Sequence, residues 1–61
     1  MNNQIQKASE AINELVRTGQ VRFKLEAEME LNAIIGGDEY GVEVKKLAAD
    51  RLRDLKDGKY D

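Results

Sequence analysis

The side chains of this chain best suited to acid–base chemistry or ionic contacts are carboxylates in its central third. Residues 25–44 contain no lysine or arginine and carry six acids. These are Glu26, Glu28, Glu30, Asp38, Glu39 and Glu43. Paired carboxylates hydrolyse glycosides, but only inside a shaped cleft, and a chain of 61 residues has little material to enclose one. We therefore predict that these acids form a surface that binds a partner protein, and that the partner is basic.

Covalent catalysis would need an activated nucleophile, and only hydroxyl groups are available for that role. The chain has no cysteine and no histidine, so Ser9, Thr18, Tyr40 and Tyr60 would depend on a carboxylate or a lysine as the base. Zinc rarely accepts carboxylates alone. The glycine pair Gly36-Gly37 is not followed by the lysine and the serine or threonine that complete a phosphate-binding loop. We expect no enzymatic activity, no metal and no cofactor.

The segment that must position several of these carboxylates alternates polar and apolar side chains over residues 20–31. Alternation is typical of a half-buried strand, but the leucine, glutamate, alanine and methionine in this segment favour a helix. As a helix, it is apolar on two opposed faces. One face carries Phe23, Ala27, Leu31 and Ile34, and the other carries Val21, Leu25, Met29 and Ala33.

A helix with two apolar faces must be covered on both of them. A chain this short cannot easily supply both covers, and without cysteines it has no disulfide to stabilise it instead. We therefore predict a homo-oligomer, in its simplest form a dimer. The expected interface residues are Val21, Phe23, Leu25, Met29 and Leu31.

The hydrophobic spacing predicts an all-α fold whose first element is a long helix. Apolar residues recur at intervals of three and four from Ile5 to Ile34, on both sides of Gly19. This spacing favours one helix over residues 4–35, straight or kinked at Gly19. Alternatively, Gly19 ends a first helix in the left-handed conformation.

Two adjacent glycines predict the turn that follows. Gly36-Gly37 permits a sharp reversal, and Asp38 is a suitable N-cap for a second helix over residues 39–57, although Gly41 could delay its regular part to Val42. The prediction is a helical hairpin forming a single domain over residues 1–61. Two hairpins would cover each other in a helical bundle.

An alternative fold contains a short strand near residues 20–25 in a helix-strand-helix-helix order. The run Val21-Arg22-Phe23-Lys24-Leu25, with possible helices over 26–36 and 42–57, resembles the ribbon-helix-helix repressors. The resemblance implies a dimeric DNA-binding transcriptional repressor whose paired strands carry Arg22 and Lys24 into the major groove. The net charge of −2 opposes the attraction to phosphates on which such binding depends.

The beginning of the chain and its hydropathy predict its location. Residues 1–4 have neither the basic start nor the apolar run of a signal peptide, and no apolar stretch approaches the ~20 residues that span a bilayer. We expect a complete, cytoplasmic, non-membrane protein. Its size suits a small regulator, inhibitor or assembly factor of the kind that phages and mobile elements encode.

Overall fold

The computed structural model describes residues 3–60, and this range forms three α-helices and no β-strand. Helix α1 spans Gln4–Thr18, α2 spans Val21–Gly36 and α3 spans Val42–Lys56. The all-α prediction is confirmed. The alternative strand near residues 20–25 is wrong, because α2 covers all of that segment except its first residue.

The middle helix organises the fold, because α2 packs against both α1 and α3. Among the described residues, no Cα atom of α1 lies within 8 Å of a Cα atom of α3. The outer helices therefore flank α2 without closing around it. The predicted domain over residues 1–61 also includes Met1, Asn2 and Asp61, which lie outside the described residues.

The core is small and draws on all three helices. Its buried members are Ala8, Ala11, Ile12, Leu15, Ala27, Leu31, Ile34, Ala48 and Leu55. Four of these are alanines, whose short side chains let neighbouring helix axes approach closely. The larger residues fill the remaining space. Six half-buried hydrophobic residues pack around this core, namely Phe23, Ile35, Tyr40, Val44, Leu52 and Tyr60.

The predicted long helix over residues 4–35 is wrong, because the chain reverses at Gly19. Gly19 has φ +70°, and its N–H donates to the carbonyl of Leu15 at 2.7 Å. The Thr18 hydroxyl donates to the carbonyl of Glu14 at 2.7 Å and accepts from the N–H of Gln20 at 3.2 Å. This left-handed cap satisfies backbone groups that a continuous helix would have satisfied. The apolar residues before and after Gly19 follow one continuous helical spacing. The reversal at Gly19 therefore turns the apolar face of α1 toward the apolar face of α2.

Replacing this glycine tests the importance of the reversal. Gly19→Ala should destabilise the fold by about 1 kcal/mol, because a Cβ atom disfavours the left-handed conformation. Thermal unfolding followed by circular dichroism should show a lower midpoint. Gly36→Ala is the matched control, since a Cβ at that helical position meets nothing within 4 Å, and it should unfold at the same temperature or higher. Equal midpoints for the two variants would contradict this account of the turn.

The second reversal follows the predicted glycine pair. Helix α2 ends at Gly36, and a Cβ at Gly37 would lie 2.9 Å from the carbonyl oxygen of Ala33, which is too close for most side chains. Helix α3 begins at Val42 rather than at residue 39. Its N-cap is Gly41 in an extended conformation, and Asp38 lies in the connection instead. The turn is therefore confirmed. A start at residue 39 is wrong, and the delayed start at Val42 that Gly41 allowed is the one observed.

The end of α3 has the hydrogen bonds of a Schellman motif. Gly58 has φ +77°. Its N–H donates to the carbonyl of Leu55 at 3.2 Å, and the N–H of Lys59 donates to the carbonyl of Asp54 at 2.7 Å. This cap ends the helix one residue before the predicted end at 57 and directs the chain so that Tyr60 packs against the core.

Candidate interaction surface

Helix α2 presents large apolar side chains to solvent on the side opposite its buried face. Val21 is 67% exposed, Leu25 is 56% exposed and Met29 is 71% exposed. They follow one another at intervals of four and form one row, which we call the α2 ridge. Ala33, which continues this spacing, is half-buried. The two-faced helix expected from the sequence is present, and its second face is uncovered in this chain.

Two residues predicted for the oligomer interface lie elsewhere. Leu31 is 4% exposed and belongs to the core, so its side chain is covered by the helices of its own chain. Phe23 is half-buried beside the core, and the guanidinium carbon of Arg22 lies 4.6 Å from its ring centroid. Such a separation is typical of a cation–π contact. Phe23 therefore lies on the core side of α2, nearly opposite the α2 ridge.

A groove of about 540 Å³ runs between α1 and α2 beside the ridge. Carboxylates line both of its sides. They are Glu10 and Glu14 from α1, and Glu26 and Glu30 from α2. One base, Lys7, also lines the groove. We call this the acidic groove. Its apolar surface comes from Ala11, Phe23, Met29 and Ala33, so Met29 belongs to both the ridge and the groove.

The carboxylates of α1 already have contacts within the chain. Arg17 Nε donates to Glu14 Oε1 at 3.2 Å, and its Nη2 forms an ion pair with the other oxygen of that carboxylate. The hydrogen bond from Arg17, assisted by its charge, holds the pKa of the Glu14 carboxyl below its usual value. Gln6 Nε2 donates to Glu10 Oε2 at 3.3 Å. Glu14 is thus partly neutralised, whereas the contact to Glu10 comes from an uncharged amide.

The structure does not gather the six predicted acids on one face. Only Glu26 and Glu30 line the acidic groove. Glu28 lies about 200° around the helix from each of them, because successive helical residues are 100° apart. Asp38 and Glu39 lie in the connection after α2, and Glu43 lies in the first turn of α3.

Glu10 and Glu14 were missing from the predicted acidic surface. Their spacing of four places them on one side of α1 and could have identified them as a pair. What brings them opposite Glu26 and Glu30 is the packing of α1 against α2, which the continuous helix preferred from the sequence excluded.

The residues proposed for DNA binding do not form a common reading surface. On a strand, Arg22 and Lys24 would share one face. In α2 they lie on opposite sides of the helix, with Arg22 exposed and Lys24 half-buried. The ribbon-helix-helix alternative therefore loses the strand on which its mode of binding depends.

The remaining chemically interesting residues lie apart from the acidic groove. Ser9 lines a second groove between α1 and α3, where Ile5 and Leu47 are exposed and Arg51 is the one charged residue. Thr18 caps α1. Within residues 3–60, no three aspartate or glutamate side chains are grouped so as to hold a metal ion.

None of the three helices in the described part of the chain is both long and apolar enough to cross a lipid bilayer. Comparison of the chain with models of protein families, with curated proteins and with solved structures finds no match.

Proposed function

We propose that this chain is a small, non-enzymatic protein–protein interaction protein that self-associates and binds a basic partner. The observation that carries the proposal is the α2 ridge, where Val21, Leu25 and Met29 are each more than half exposed. The acidic groove lies directly beside it. The role we propose is that of a regulator, an inhibitor or an assembly factor that acts in the cytoplasm.

The α2 ridge has the composition of an interface centre. Interface centres are apolar and depleted of charge, whereas interface rims are polar. Covering a large apolar side chain completely contributes roughly 1.5–3 kcal/mol, and three such side chains stand in one row here. Arg22, Lys24, Glu26 and Glu28 border the row along α2. This pattern supports contact with another protein surface.

The acidic groove suits a basic amphipathic segment. Four carboxylates and one lysine give its lining an excess of negative charge, while Phe23 and Met29 supply apolar surface between them. A helix with lysines or arginines beside an apolar face could satisfy both features, as in other complexes in which a helix lies in a groove. Opposite charges at such a contact mainly increase the association rate and the specificity.

A designed peptide tests the acidic groove. A short helical peptide with leucines on one face and lysines on the other should bind, and calorimetric titration should show weaker binding at about 150 mM salt than at low salt, because salt screens exposed charges. Glu10→Gln combined with Glu30→Gln should weaken binding about tenfold, a change equivalent to 1.4 kcal/mol.

Two controls accompany this titration. A peptide of the same design with glutamates in place of the lysines should not bind. Replacing Asp50 and Asp57, which are exposed and outside the groove, with asparagine removes the same charge and should leave binding within about twofold of the unmodified protein. Equal binding of both peptides, or equal loss in both double variants, would show that the groove does not select a basic partner.

A further inference from the structure

We propose that the α2 ridge is covered by the α2 ridge of a second copy, with the two helices antiparallel and Leu25 at the two-fold axis. This inference rests on the self-association proposed above and specifies its geometry. It follows from two features of α2, which are the spacing of its exposed apolar residues and the order of its charges.

The ridge is symmetric about Leu25. Val21 lies four residues before it and Met29 four residues after it. An antiparallel pair centred on Leu25 therefore places Val21 opposite Met29 of the second copy, and Leu25 opposite its own counterpart. All three exposed side chains of each copy meet an apolar neighbour, as a self-complementary two-fold interface requires.

The charges beside the ridge are ordered along the helix. Arg22 and Lys24 lie in its N-terminal half, and Glu26 and Glu28 follow them. At 100° per residue, Arg22 and Glu26 lie on one side of the ridge, and Lys24 and Glu28 on the other. Each side therefore carries one base near its beginning and one acid further along.

Antiparallel pairing brings opposite charges together on both sides. Arg22 approaches Glu26 of the second copy, and Lys24 approaches Glu28 of the second copy. Each pair is displaced by two residues, or about 3 Å, from direct opposition, a distance that long side chains span. Parallel pairing would instead place the Arg22 side of one copy against the Lys24 side of the other, which brings Arg22 beside Lys24 and Glu26 beside Glu28 as like-charge neighbours. The macrodipoles of the two helices also attract each other only in the antiparallel arrangement.

The same two features select a second copy as the occupant. A surface that matches itself in apolar spacing and in charge order needs no partner of different sequence. The groove between α1 and α3 has no comparable order, since Arg51 is its one charged lining residue. The pairing uses neither Glu10 nor Glu30, so the carboxylates tested by the peptide titration are outside the expected contact.

Disulfide trapping distinguishes the two orientations, because the chain contains no cysteine of its own. A disulfide requires Cα atoms within about 7 Å. Leu25→Cys, at the axis, should cross-link to a covalent dimer under mild oxidation. Val21→Cys alone should not, because the two substituted positions would lie about 12 Å apart along the axis. Val21→Cys mixed with Met29→Cys should give a cross-linked heterodimer.

Leu47→Cys controls for random collision and should remain monomeric on a non-reducing gel, since Leu47 is more exposed than Leu25 but lies on α3. Efficient cross-linking of Val21→Cys to itself would show parallel pairing and overturn this inference, while the proposed self-association would stand. Absence of cross-linking by Leu25→Cys, with the unmodified protein still a dimer in sedimentation, would show that another surface forms the dimer. Neither result would decide the peptide titration, because its variants change Glu10 and Glu30, which lie outside the proposed contact.

Charge reversal provides an independent measurement of the same geometry. Arg22→Glu should raise the dissociation constant of the dimer about tenfold in sedimentation equilibrium. The new glutamate would face Glu26 of the second copy, and this like-charge contact occurs twice in each dimer. Arg22→Glu combined with Glu26→Arg should restore it. Arg53→Glu changes the net charge equally on an exposed part of α3 and should have little effect. Failure of the double variant to recover affinity would contradict the proposed ion pair.

Discussion

Leu55→Ala is expected to unfold a large fraction of the protein at 25 °C. Leu55 is completely buried and is among the largest core side chains. Truncating a buried leucine to alanine costs about 2–5 kcal/mol, since transfer energy is lost and a cavity remains. The total stability expected of a 61-residue domain is about 3–9 kcal/mol. Thermal and urea unfolding, followed by circular dichroism at 222 nm, should show the loss directly.

Leu47→Ala is the matched control, because it makes the same substitution in the same helix. Leu47 is 69% exposed, so its truncation should change stability by no more than about 0.5 kcal/mol. If both variants were destabilised equally, Leu47 would be covered in solution and the groove between α1 and α3 would be closed. If neither were destabilised, the packing of α3 against α2 would be wrong.

Leu25→Glu is expected to abolish the proposed dimer and leave a folded monomer. At the proposed two-fold axis, the substitution would place two carboxylates face to face in an apolar contact, and a buried, unpaired charge is strongly unfavourable. Leu25 is 56% exposed within one chain, so the fold itself should persist. Sedimentation velocity should show the monomer, and circular dichroism should retain the helix content.

Glu14→Gln is the control for this change. It alters a charge in the neighbouring helix, and the Glu14–Arg17 ion pair it removes is exposed, so both the dimer and its stability should be nearly unchanged. A dimer that persists in Leu25→Glu would show that the α2 ridge does not form the interface.

The sequence predicted the type of fold, but not the first turn. The glycine pair at Gly36-Gly37 marked a real helix end, and α3 ends within one residue of the predicted position. The sequence did not show whether a helix ends at Gly19 or continues through it, because the apolar residues before and after it follow one continuous helical spacing. A continuous helix and two helices folded against each other can have the same periodicity. The difference lies in whether the stripe is covered by its own chain, which depends on tertiary packing.

The candidate surface was predictable to the extent that it depends on one helix. The row of Val21, Leu25 and Met29 follows from helical spacing alone, and the structure shows it exposed. Leu31 was predicted for the same interface, but the structure places it in the core, where the rest of the chain covers it. The contribution of Glu10 to the acidic groove required knowing that α1 folds back on α2.

The central claim is that the exposed ridge of α2 is covered by another copy of this chain. Sedimentation equilibrium of the unmodified protein tests it most directly, because one chain has a mass of 6.9 kDa. At micromolar concentrations we expect a mass twice that value, together with a melting temperature that rises with protein concentration. A 6.9 kDa species with a cooperative melt independent of concentration would contradict the claim.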